Sequence, residues 1–182
     1  MLTEENLQDI FELADLMSNG DRELFLQLRE VVFASDPNHI LDRMEQILDD
    51  QSFDDFLDKI GESEKENLWV ILLTLLDHFH YIAVRPRSDE LKLFINAFDQ
   101  LQQVRNAGIL LKLDSAGLLP SGSISEWSAI IDGKYASEGF CMGAIDMKSD
   151  SYYLFFNKLD KFERIKELSK RLEYRVDFAK VI

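Results

Sequence analysis

Nine residues near the middle of the chain constrain its fold more than any others: Leu68-Trp69-Val70-Ile71-Leu72-Leu73-Thr74-Leu75-Leu76. Ser63 and Glu66, just ahead of them, have the spacing of a capping box, so the run is expected to be helical. A helix that is apolar on every face cannot lie on a surface. It has to be central, with other elements packed around it. The run is about half the roughly 20 residues that a membrane-crossing helix needs, so it reads as a core helix.

The residues before it supply amphipathic cover. Leu7, Ile10, Phe11, Ala14 and Met17 recur at helical spacing, and Asn19-Gly20 follows as a stop. Leu24, Phe25, Leu28, Val31 and Val32 make a second stripe. Asp36-Pro37 should open a third helix carrying Ile40, Leu41, Met44, Ile47 and Leu48, since Pro suits the first turn and Asp can cap it. A fourth, with Phe53, Phe56, Leu57 and Ile60, is expected to be capped by Ser52 and ended by Gly61.

Beyond the central run the pattern changes. His80 to Val84 reads as a short strand closed by Arg85-Pro86. Ser88 should cap a helix with Leu91, Phe94, Ile95, Phe98 and Leu101 inward, ending near Gly108. Ile109 to Leu113 fits a strand or a helix end equally, and Pro120 to Ser123 is loop. A helix follows from Ile124 to Ile131. Phe140 to Met147 and Ser151 to Asn157 are strands joined at Lys148-Ser149-Asp150 as a hairpin. Tyr152 to Phe156 is apolar on both faces, which marks an inner strand. Asp160 to Leu172 is an amphipathic helix. Tyr174, Val176 and Phe178 alternate with charged residues as an edge strand would. The fold class is therefore α+β: a helical N-terminal layer packed on a small, mostly antiparallel sheet with flanking helices.

Charge divides the chain at residue 66. Residues 1–66 hold 19 Asp/Glu and 5 Lys/Arg, whereas residues 67–182 hold 15 of each, so the first part accounts for the net charge of -14. This suggests an acidic helical region over 1–66 and an α+β region over 67–182. One continuous domain over 1–182 is the alternative, because the central helix needs covering. A strongly acidic surface repels phosphate and anionic lipid, so neither nucleic acid nor membrane is expected as a partner. It would attract and steer a basic protein. The acidic N-terminus lacks the basic and apolar regions of a signal peptide, and the lone Cys141 cannot form a disulfide within the chain. Both features point to the cytoplasm.

Few residues offer chemistry. Asp77, His78 and His80 lie close in sequence, but their spacing matches no strong zinc motif, and His39 is distant, so no metal is expected. Cys141 sits among apolar residues and reads as an inert buried thiol. No phosphate loop or dinucleotide fingerprint occurs, so no cofactor is expected. No catalytic residue is assigned. Asp146, Asp150, Ser151 and Tyr152 cluster at the hairpin, and Asp146 interrupts an apolar strand, where a carboxylate needs a partner or water. They form either a polar binding site at the sheet end or a capped turn. Asp49, Asp50, Asp54 and Asp55 are expected to form an acidic interaction face.

The stretch from Glu126-Trp127 through Gly139-Phe140-Cys141-Met142-Gly143-Ala144-Ile145-Asp146, with Asp150-Ser151-Tyr152 opening the next strand, resembles an uncharacterised bacterial family, the domain of unknown function DUF6630. Tyr81 to Val84 resembles its upstream strand. There the family tends toward Asp-Trp-Lys, where this chain has Val84-Arg85-Pro86. The resemblance spans about residues 70–178. It implies an α+β domain and no particular activity.

Two classes of function follow. One is a non-enzymatic interaction module, such as an immunity-type protein that binds a basic toxin. The other is a ligand-binding or enzymatic domain with its site near Asp146 and Asp150.

Overall fold

The first turn of the first helix is closed from both sides. Thr3 Oγ1 accepts from Asn6 N at 3.1 Å, and Asn6 Oδ1 accepts from Thr3 N at 3.2 Å. In the computed structural model, which describes residues 2–34, 36–111 and 117–182, this helix is α1, Glu4–Ser18. It ends at Asn19 and Gly20, both at positive φ (55° and 76°), where the left-handed conformation stops the helix. Helices α2 (Arg22–Val32), α3 (Pro37–Ile47) and α4 (Asp50–Lys59) follow, each with an Asp at its N-cap. The cap of α4 is Asp49, not the expected Ser52. Asp49 Oδ1 accepts from Ser52 N at 2.7 Å, so the helix starts earlier and Ser52 lies in its first turn.

The apolar run forms α5, Glu64–His78, with Ser63 accepting from Glu66 N. Helices α1, α2 and α4 pack on it. Eight of its residues, from Leu68 to Leu76, are buried. Thr74, the one polar residue in the run, bonds back to Val70 O at 2.7 Å. The chain divides into two compact units, Met1–Phe79 and His80–Ile182. The charge step at residue 66 thus falls inside α5.

The second unit is built on a four-stranded sheet ordered β1-β3-β2-β4, with every pairing antiparallel. Its strands are β1 (Ala83–Pro86), β2 (Phe140–Asp146), β3 (Ser151–Lys158) and β4 (Arg175–Phe178). The first strand begins later than expected and takes in Arg85 and Pro86. His80 is at φ 64°, outside the extended region, and its carbonyl accepts from Gln102 N at 2.8 Å. Pro86 can end β1 because β1 is an edge strand, where a missing N–H breaks no ladder.

The same His80 bond divides the next helix. Gln102 N donates to His80 O, Leu101 is extended, and what reads as one helix is α6 (Leu91–Gln100) and α7 (Gln102–Asn106). Ser88 is not the cap. Glu90 stands at the N-cap, with no side-chain cap bond. Within the ambiguous stretch after Gly108, Ile109 and Leu111 are buried, while Leu113 lies outside the described residues. Helix α8 runs Ile124–Tyr135 and α9 Leu159–Arg171. A 3-10 turn, Ala179–Val181, follows β4.

Register sorts the side chains onto two faces. Met142 lies opposite Phe156, and Ala144 opposite Leu154. These residues and Tyr152 pack with Phe94, Phe98, Trp127 and Ile131 of α6 and α8. On the other face Phe155 and Phe178 meet Phe162 of α9, with ring centroids 6.1 and 4.6 Å away. Gly143 makes this possible. A Cβ there would lie 2.3 Å from Phe155 Cζ, so the ring occupies the space that any larger residue would need. β3 is the inner, doubly covered strand, as its two apolar faces predict.

Candidate functional site

The hairpin joining β2 and β3 shows how its polar residues are used. Asp146 ends β2, and its Oδ1 accepts from Lys148 N at 2.9 Å, while Lys148 takes φ 53°. This Asx turn ends β2 one residue before Met147, and the connection is the four residues 147–150. Asp146 Oδ2 lies 3.9 Å from Arg175 Nη1, on the facing position of β4. Ser151 N donates to Ser149 Oγ at 3.3 Å. Asp150 is exposed, and its carbonyl accepts from Arg87 N at 2.9 Å.

Arg87, which the sequence reading passed over, joins these parts. Its guanidinium sits 4.6 Å above the Tyr152 ring, a cation–π contact. Nε donates to Ser149 O at 3.2 Å, and Nη1 to Ile182 O at 3.3 Å. One side chain thus clasps the hairpin, β3 and residue 182. Two residues before it, Arg85 makes a bidentate pair with Asp89 at 2.7 and 2.6 Å, and the Asp89 side chain is 1% exposed. That bond raises the Arg85 pKa. Asp146, Ser151 and Tyr152 are therefore brought together with Arg175 and Arg87 in an arrangement that holds a turn.

A second polar group lies inside the unit. Asp132, on the inward face of α8, is buried, and its Oδ1 accepts from Met142 N at 2.7 Å. Its Oδ2 faces Lys180 Nζ at 3.5 Å. Burial raises the Asp132 pKa, against the opposing effects of the Met142 N–H and Lys180. The neighbouring Cys141 thiol is pushed up to about 12, first by burial and then by the Asp132 charge. It stays protonated at neutral pH and is no thiolate nucleophile. A carboxylate between Ile131 and Tyr135 of one buried stripe was the available signal for this group.

The acidic face of α4 is on the surface: Asp49, Asp50, Asp54 and Asp55 are all exposed. They are not equivalent. The bond from Ser52 N lowers the Asp49 pKa, so Asp49 serves the helix as its cap, while Gln51 Nε2 donates to Asp55 Oδ1 at 3.0 Å. Asp50 and Asp54 complete the set.

The histidines play separate parts. His78 is the last residue of α5, at the negative end of the helix dipole, with its ring 5.0 Å from Phe79. His80 supplies the carbonyl that ends α6. Among the described residues, no group of three or more His, Cys, Asp or Glu could hold a metal ion, and no helix is long and apolar enough to cross a membrane.

Two surface concavities stand out. A cleft of about 230 Å³ lies at the α1–α2 turn, lined by Ala14, Asp15, Asp21 and Phe25 among others. A larger groove of about 600 Å³ runs between α9 and β4.

The model of the family described as "Domain of unknown function (DUF6630)" matches residues 9–179 of the 182. No curated protein and no solved structure matches the chain.

Proposed function

The chain belongs to the DUF6630 family, a domain of unknown function, and from that premise we propose that it is a non-enzymatic protein-interaction module whose helical unit engages a basic partner. The observation that carries this reading is the charge of Met1–Phe79, with 20 Asp/Glu against 5 Lys/Arg. Opposite charge across an interface steers encounter and suppresses wrong partners. The exposed carboxylates of α4 give that charge a defined helical face. An immunity-type protein that neutralises a basic toxin is one form of this reading. The use of Asp146, Ser151 and Tyr152 within their own hairpin favours it over a small-ligand site at the sheet end.

The test is co-purification of the full chain with its partner across a salt series, for the native chain and for the D50K, D54K, D55K triple variant. Asp49 is kept because it caps α4. Native binding should weaken steeply between about 50 and 500 mM salt, as screening shortens the reach of surface charge. The triple variant should lose the partner at the lower salt. Binding indifferent to both salt and charge reversal would overturn the electrostatic reading.

A further inference from the structure

The groove beside β4 has a pattern that fits a second copy of this chain. β4 pairs with β2 on one side, and among the described residues no strand lies on its other side. Helix α9 overhangs this edge. Four of its residues, Glu163, Lys166, Glu167 and Lys170, line the groove together with Tyr174, Arg175 and Val176. They are spaced i, i+3, i+4 and i+7, so they form one stripe along the helix.

The stripe reads as its own complement. An identical helix laid antiparallel about a point between Lys166 and Glu167 places Glu163 against Lys170 and Lys166 against Glu167, each twice. The strand repeats the pattern. An identical strand laid antiparallel about Val176 places Arg175 against Asp177 twice, and Tyr174, the residue before the strand, against Phe178 twice. Opposite charges and aromatic pairs directly across an antiparallel pair are the favourable combinations.

Both alignments can share one two-fold axis. From the turn at Leu172 and Glu173, the helix centre is about 9 Å back at 1.5 Å per residue. The strand centre is about 12 Å forward at 3.3 Å per residue. The Lys166–Asp177 contact at 3.8 Å confirms that the two centres lie side by side. The unit bearing this edge holds 14 Asp/Glu and 15 Lys/Arg, so its own charge does not oppose self-association.

We infer that the chain forms a two-fold dimer through β4, making a continuous eight-stranded sheet with α9 paired antiparallel to its copy across the axis. Such isologous interfaces are the commonest in soluble oligomers, and an unpaired edge strand is a template for one. The inference is independent of the basic-partner reading, which concerns the other unit.

Sedimentation velocity on the full chain from about 1 to 300 µM reads the association directly. The native chain should show a concentration-dependent dimer. K166E and E167K should each weaken it by about tenfold or more, because each places like charges together twice. The K166E, E167K double variant exchanges the charges, restores complementarity, and should return to within about threefold of native. E163K, K170E and their combination repeat the same exchange one turn outward at exposed positions. Circular dichroism confirms that each variant is folded. A native chain that stays monomeric throughout, single variants that leave the dimer unchanged, or combined variants that fail to recover would each overturn the inference.

Discussion

At the scale of single residues, the most informative is Asp132. Its Oδ1 holds Met142 N at the start of β2, while its charge sits in a site that burial disfavours. Two substitutions separate these effects. Asp132→Ala leaves Met142 N–H without its acceptor and should cost about 1–3 kcal/mol in urea unfolding. Asp132→Asn retains an acceptor and removes the charge. Because the folded-state pKa is raised above 3.8, the folded protein holds this proton to higher pH than the unfolded chain does. The contribution of the group to stability therefore falls as pH rises from 3.8 through the folded pKa, and is flat above it. The stability of D132N relative to the native chain should move in favour of the variant across that window. A difference that moves the other way would show that the Lys180 pairing outweighs burial. Gly143 is a second residue whose identity follows from contact, since Phe155 fills the space above it.

Among the elements, β1 and the turn that leads into α6 are joined by the Arg85–Asp89 pair. Only 1% of the Asp89 side chain is exposed, whereas Arg85 keeps 24%. Removing one partner of a buried pair costs about 3–5 kcal/mol, because the remaining charge stays buried and unpaired. Arg85→Ala should fall toward the low end of that range, since Asp89 can gain some water through the vacated space. Arg85→Ala with Asp89→Asn should recover a large part of the loss, as no charge is then stranded. Denaturant midpoints for the two variants check this, and equal losses would show that packing rather than charge sets the cost. Most element boundaries were legible in the residues themselves. Asn19-Gly20 ended α1, Asp36-Pro37 opened α3, and α8 began at Ile124. The misplacements at β1, at the α6–α7 break and at the hairpin have two causes. In the first two a bond between residues distant in sequence, His80 O with Gln102 N, overrode local preference. At the hairpin, Asp146 turned inward to its own Lys148 N.

For the whole molecule, the two units differ most in charge. Self-repulsion within Met1–Phe79 opposes compaction, and salt relieves it. Each unit holds one tryptophan, Trp69 in the first and Trp127 in the second, both buried. Trp127→Phe leaves a reporter of the first unit and Trp69→Phe a reporter of the second. Thermal unfolding followed by fluorescence should show the Trp69 transition rising by several degrees between about 20 and 300 mM NaCl. The Trp127 transition should shift much less. Equal shifts would mean that the charge is not felt within the first unit alone, or that both units unfold together.

What the sequence determined by itself was whatever depends on near neighbours: caps, stripes of period 3.6, alternation of period 2, a helix that had to be central, and the division of charge. Periodicity identified β3 as an inner strand and β4 as an edge before any pairing was known. What only the tertiary structure decided was which distant residues meet. The order β1-β3-β2-β4, the clasp of Arg87 on Tyr152, the seat of Asp132 under Met142, and the placing of the α9 charges beside the edge of β4 all rest on contacts across many residues. Such contacts leave no local signature, because the same period suits either neighbour and either edge of a sheet. The Glu163-Lys166-Glu167-Lys170 stripe is visible in the sequence as charge alone. Its place on an open strand edge turns it into a surface with a partner.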